Sequence, residues 1–253
     1  MKRIRRGTLC AVLLAALAAA AGYARQAPAA AVNKEAMAVV DKMIAAMGGR
    51  KALESIKDTT MSGTMEIVQF GITAPVTLYI KEPDKVRADL TIAEANMTII
   101  QAFDGQKGWY TNPQSGSTEE MPDYMAKQFS RQAGQNQALL NPQKVGVTYA
   151  LKPKAAVEGK DYVVLEQTMA DGHKTTFFLD PETYLPYKTA ERSLDQNGAE
   201  VDSETYTTNY QKVGGTLIPY SFRVVQNGAD AQRMTITAVT YNTNLDDALF
   251  TLK

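Results

Sequence analysis

Cysteine is all but missing from this 253-residue chain, with Cys10 its only instance. Cys10 falls inside an N-terminal leader, so the rest of the chain has no thiol and must be held by core burial rather than disulfides. Histidine is as scarce, with His173 alone. Without cysteine or a second histidine, a zinc or copper site is not expected, nor any other cofactor. The same poverty removes a Cys–His dyad and leaves a Ser–His–Asp triad hard to build. His173 directly follows Asp171-Gly172 and reads as an exposed turn residue. There is no Walker loop and no dinucleotide-binding glycine pattern. Charge of one sign is also lacking, with 27 basic and 27 acidic residues. No basic stripe is available to track a phosphate backbone, so nucleic acid is not an expected partner. The carboxylate pairs Glu119-Glu120, Asp180 with Glu182, and Asp246-Asp247 read as turn and cap residues, not as the converging pair of a glycosidase. The inventory points away from an enzyme.

Only one long apolar run is present. Lys2, Arg3, Arg5 and Arg6 precede it, it extends from Leu9 to about Ala21, and Gly22-Tyr23-Ala24 follows. This is the three-part layout of a cleavable secretory signal, and the run is shorter than the ~20 residues that span a bilayer. The expected organisation is a signal at 1–24, a loose alanine-rich leader at 25–32, and a single domain at 33–253, with cleavage after Ala24 or Ala29. Cys10 precedes the apolar run, which argues against a lipoprotein cysteine. Losing the four basic residues tips the balanced chain to a small acidic excess. The expected location is the periplasm.

Periodicity then divides the chain. Asn33 is a candidate N-cap, Met37, Val40, Ile44 and Met47 recur at helical spacing, and Gly48-Gly49 supplies a stop. From Thr59 the period becomes two. Met61, Met65 and Ile67, then Val76, Leu78 and Ile80, then Val86, Ala88, Leu90 and Ile92 alternate with polar residues, as in strands with one dry face. Pro83-Asp84, Asp104-Gly105, Asp171-Gly172, Asn197-Gly198, Gly214-Gly215 and Asn227-Gly228 mark hairpin turns. Hairpin follows hairpin, so the pattern predicts an antiparallel meander in one strongly curved sheet. One or two short helices interrupt it between Met121 and Leu140, where Pro122 suits a first position and Met121, Met125 and Phe129 recur every four residues. Strands resume near Val147 and run to about Tyr241. Eleven methionines are present, many in the first half, and methionine fills irregular apolar space and serves surfaces that accept varied ligands.

Two segments carry a family resemblance. Ile80-Lys81-Glu82-Pro83-Asp84-Lys85-Val86-Arg87 leads into Phe103-Asp104-Gly105-Gln106-Lys107-Gly108-Trp109-Tyr110, then Asn112-Pro113 and Glu119-Glu120-Met121. With the leading helix and the ending Asn244-Leu245-Asp246-Asp247-Ala248-Leu249-Phe250-Thr251-Leu252, this resembles the LolA-like family of periplasmic lipoprotein carriers. The stretch from Phe178 to Lys188 and that from Tyr210 to Pro219 resemble the wider superfamily, which includes LolB receptors and RseB-type envelope-stress sensors. The chain departs from the carriers at Glu82, where they usually place a basic residue before the proline. It is also longer, mainly between Asp180 and Pro219.

The resemblance implies a mainly β fold: a strongly curved antiparallel sheet forming an incomplete barrel, closed by the N-terminal helix and a short mid-chain helical lid. It implies a hydrophobic cavity that shields acyl chains of lipoprotein or lipid. The expected wall comprises Val40, Ile44 and Met47 from the first helix. Met61, Met65, Ile67, Leu78, Ile80, Val86, Leu90, Met97 and Ile99 come from strands, Trp109 from the signature segment, and Met125 and Phe129 from a movable lid. The function implied is a monomeric periplasmic carrier or binder of acylated cargo that meets inner- or outer-membrane proteins. The alternative is a lipid-sensing regulatory module of the envelope, acting on a protein partner through the polar segment Asp195–Glu204.

Overall fold

A computed structural model describes residues 33–93, 96–112, 115–194 and 199–251. The signal and leader, the Asn197-Gly198 turn, Pro113 and Leu252 lie outside these. Helix α1 (Lys34–Ala46) starts where the side chain of Asn33 accepts a hydrogen bond from the Ala36 N–H at 3.0 Å. It ends at Gly48, whose φ of 114° suits glycine. A Cβ there would collide with the Gly215 carbonyl, so glycine also permits the close approach that lets the Leu217 N–H donate to the Met47 carbonyl at 3.0 Å. One turn of helix, α2 (Arg50–Ser55), leads into the sheet.

Six strands follow: β1 (Asp58–Ile67), β2 (Ile72–Lys81), β3 (Lys85–Ile92), β4 (Met97–Phe103), β5 (Gly108–Thr111) and β6 (Thr118–Glu120). Helices α3 (Asp123–Ala133) and α4 (Gln135–Leu140) come next. Seven strands complete the chain: β7 (Thr148–Val157), β8 (Lys160–Thr168), β9 (Lys174–Leu179), β10 (Pro186–Leu194), β11 (Glu200–Val213), β12 (Thr216–Gln226) and β13 (Ala229–Tyr241). They form one antiparallel sheet ordered β6-β5-β4-β3-β2-β1-β13-β12-β11-β10-β9-β8-β7. The hairpins are those the turn residues predict, but the chain does not run as one meander. Two meanders meet where β1 pairs with β13, and the free edges are β6 and β7. Helices α3 and α4 connect these two edges and occupy the space between them. The result is an incomplete barrel.

At the β1–β13 seam the register shifts between Ser62 and Gly63, the kind of irregularity that bends and twists a strand. A Cβ on Gly63 would overlap the Thr235 carbonyl. Cross-strand pairs Met61–Leu78, Ile80–Val86, Leu90–Ile99 and Val86–Phe103 define one face of the first meander. Phe129 and Ala133 of α3 pack against Val86 and Phe103, so this is the inner face. At the other end of the sheet, α1 packs on Leu165 and Leu179, making the main core with Ala138 and Leu140 of α4. Among the described residues no helix is long and apolar enough to cross a membrane.

Candidate ligand cavity and its polar mouth

Between the C-terminal end of α1, the α3–α4 junction and the middle of the sheet lies a cavity of about 330 Å³. Sites for small ligands commonly run from roughly 300 to 1,000 Å³. Its wall is largely apolar, with Met43, Met47, Ile56, Met61, Ile80, Leu139, Phe177 and Ile218 contributing. Three of the residues expected from sequence, Met47, Met61 and Ile80, line it. Met65, Ile67, Leu78, Leu90, Met97 and Ile99 share the inner face with Met61 and are half-buried. They continue an apolar surface beyond the cavity rather than enclosing it.

Six of the expected residues fall elsewhere. Val40 and Ile44, 0% and 4% exposed, point into the close-packed core with Tyr149, Leu165 and Leu179, because α1 turns one stripe to the sheet and only its C-terminal methionines to the cavity. Val86 is likewise packed solid, under Phe129 and Ala133. Trp109 pairs with Ala102, one residue out of step with Phe103, so strand alternation sets its indole on the outer face. Met125 is half-buried on α3 and is not in the wall, while Phe129 fixes α3 to the sheet. Residues from the second meander, Phe177 and Ile218 above all, carry their half of the wall. Sequence reading missed them because nothing local reveals that β9 and β12 curve round to face β1.

The mid-chain helices are tied down by polar groups. The Glu82 carboxylate accepts from Asn136 Nδ2 at 2.9 Å and from Gln137 Nε2 at 3.1 Å. Arg131 pairs with Asp171 at 2.8 Å, and Gln128 Nε2 donates to the Leu194 carbonyl at 3.2 Å. These side chains bridge α3 and α4 to both meanders. Burial raises the Glu82 carboxyl above the ordinary glutamate range, with the two amides opposing it. Replacing Glu82 by alanine is expected to remove this latch. Hydrogen bonds to charged groups contribute about 1.5–3 kcal/mol each when well buried, and less at this half-buried site. About tenfold faster hydrogen exchange across α4 is expected by mass spectrometry, the equivalent of about 1.4 kcal/mol; an unchanged rate would show that α4 is held by its apolar side alone.

A second, polar cleft of about 400 Å³ adjoins the cavity and shares Gln132, Gln135 and Phe177 with it. His173 lies here and is not a solvent-facing turn residue: its Nε2 is 2.9 Å from Glu191 Oε2, and Thr175 Oγ1 donates to the same oxygen at 3.0 Å. Burial would raise the Glu191 carboxyl, but the bonds from His173 and Thr175 outweigh it and hold it below the usual range. Asp180, by contrast, accepts from the N–H groups of Glu182 and Thr183, and Asp246 caps the turn Asp247–Phe250 by accepting from the Ala248 N–H. Among the described residues no cluster of His, Cys, Asp and Glu could hold a metal ion.

No protein-family model matches the sequence, and no curated protein matches it. Solved structures do. A DUF1329 family protein from Desulfovibrio piger superposes with a TM-score of 0.56 at 16% identity, over 85% of this chain and 97% of that one. A LolA superfamily protein from Nitrosomonas europaea gives 0.56 at 14%, over 86% and 97%. A putative outer membrane lipoprotein-sorting protein domain from Vibrio parahaemolyticus gives 0.54 at 14%, over 85% and 95%. At such identities the likeness concerns the course of the backbone alone. The chain therefore has the LolA-like fold.

Proposed function

We propose that this protein is a periplasmic carrier or binder of acylated molecules. The observation that carries the reading is the apolar cavity between the helices and the middle of the sheet, walled by unbranched methionines and aromatic or aliphatic side chains from both meanders. Methionine side chains re-pack readily around chains of different shape. Each acyl CH₂ taken out of water contributes about 0.8 kcal/mol, so a chain seated here is held without any reacting group. The half-buried apolar residues that continue the inner face past Met61 extend the dry surface a longer chain can follow. The N-terminal leader supports a periplasmic location, and the scarcity of histidine and cysteine supports binding over catalysis.

The test is to purify the protein from the periplasm of its host and examine it by native mass spectrometry. A discrete added mass that solvent extraction removes and that contains a fatty acyl chain is the expected result. A fluorescent acyl probe should then saturate the extracted protein at a single site. Protein recovered with no added mass, and indifferent to the probe at millimolar concentration, would overturn the reading.

A further inference from the structure

The inner face of the sheet changes character between the two meanders. Across β1 to β4 it carries Met61, Leu78, Ile80, Leu90 and Ile99. On β9 to β11 it is hydroxylated. Phe177, which lines the cavity, stands opposite Thr189, and Thr189 stands opposite Thr205. Opposite residues share a face of the sheet, and so do residues two apart along a strand. Thr175, Glu191 and Ser193 therefore belong to the same stripe, and the whole stripe lines the polar cleft.

This stripe is open to a ligand and short of partners within the protein. Thr189, Ser193 and Thr205 are half-buried, while Gln132 and Gln135, where the cleft meets the cavity, are exposed. Among the described residues, none of these five side chains has a hydrogen-bond partner. The Glu191 side chain keeps 37% of its surface. His173 and Thr175 both bond its Oε2, which leaves Oε1 as a free acceptor on a carboxylate held in its ionised form. The only arginine or lysine in the wall, Arg131, is ion-paired with Asp171. Hydroxyls and amides both donate and accept, as the hydroxyls of a polyol do, and an ionised carboxylate accepts strongly from such groups. An anionic head would instead meet the Glu191 charge and find no unpaired cation to offset it.

We propose that the polar cleft seats the head of the acylated cargo, and that this head is an uncharged polyol, such as glycerol or a sugar, bound by the Thr189–Thr205 pair and Glu191. The chain lies in the cavity, and the molecule passes from one space to the other at Gln132, Gln135 and Phe177. The proposal rests on the acyl-binding reading above and adds to it the class of head group.

Three probes with one acyl chain and different heads test it on the full mature protein: 1-dodecanoylglycerol, its 2,3-dimethyl ether, and its 3-phosphate. By calorimetry the free diol should bind about tenfold more tightly than either of the others. The double variant Thr189→Val with Thr205→Val keeps the shape of both side chains and removes two hydroxyls that bond nothing in the protein. It should bind the diol no better than the dimethyl ether, and the ether as the native protein does. Equal binding of diol and ether by the native protein, with both bound well, would overturn the proposal and leave the carrier reading intact. Tightest binding of the phosphate would overturn it too, by showing an anionic head. A preference for the diol that is undiminished in the double variant would take the head away from this stripe and overturn the placement. Should that variant not fold, the comparison of the three probes on the native protein still decides. Failure of all three to bind would remove the carrier reading itself.

Discussion

Replacing Asp58 by alanine is expected to lower the unfolding free energy by about 3 kcal/mol, a large fraction of the stability of a single domain. Asp58 opens β1 and is 3% exposed. One carboxylate oxygen accepts from the N–H and the hydroxyl of Thr243, at 2.7 and 3.1 Å. The other accepts from the N–H of Asn244 at 2.9 Å and of Leu245 at 3.4 Å. This one side chain fastens the segment after β13 across the start of the sheet. That segment carries the turn Asp247–Phe250, whose Phe250 is fully buried, and Arg87 of β3 donates to the Leu249 carbonyl. Alanine would strand several donors at once, which costs more than losing a bond between two exposed groups. Asparagine, keeping one acceptor oxygen, should cost roughly half as much. Urea unfolding followed by far-ultraviolet circular dichroism measures both.

The same residue predicts a pH dependence. Burial would raise the Asp58 carboxyl, but the donors from Thr243, Asn244 and Leu245 outweigh it and hold it below the usual aspartate range. A group whose folded pKa is depressed stabilises above its unfolded pKa and loses that contribution as pH falls through the folded value. The native protein should therefore lose stability below about pH 4, and Asp58→Ala should lose less over the same interval. An acid profile unchanged by the substitution would mean that the clamp does not depend on the charge.

The other large effect concerns the cavity. Met61→Trp puts a bulky ring into its wall from the centre of the sheet, and an acyl probe should bind about a hundredfold more weakly. The magnitude follows from excluding three or four CH₂ groups at about 0.8 kcal/mol each, where 1.4 kcal/mol is a factor of ten. Thr64→Trp is the control, because Thr64 lies on the same strand, is exposed, and alternates to the outer face. It should bind the probe as the native protein does. Equal affinity in both variants would place the acyl chain outside this cavity, and thermal melts of both would show whether the larger ring had disturbed the fold.

Most of the local structure was legible. Period-two alternation from Thr59, the Asp-Gly and Asn-Gly turns, and the cap at Asn33 are consequences of short-range geometry. They place α1 and the hairpins without reference to any tertiary contact. The alternation also put Met61, Leu78, Ile80, Leu90 and Ile99 on one face, since side-chain direction in a strand depends only on parity along the chain. What the sequence did not carry was which distant strands meet. That β1 pairs with β13 depends on loop closure over nearly the whole chain, and that pairing brings Phe177 and Ile218 across from Met61. The parity rule likewise could not say that Trp109 falls one step out of phase with Phe103, because phase is set by the β4–β5 pairing. The partners of the polar residues on α3 and α4 are not legible in the sequence, because a charged or amide side chain looks the same whether it meets water or a group far along the chain. Only the folded molecule gave Asn136 and Gln137 the Glu82 carboxylate. His173 met Glu191 for the same reason. The sequence determined the elements and their faces through local sterics and periodicity. The tertiary structure alone decided the cavity and its polar boundary, because both are made by residues whose proximity is a property of the closed sheet.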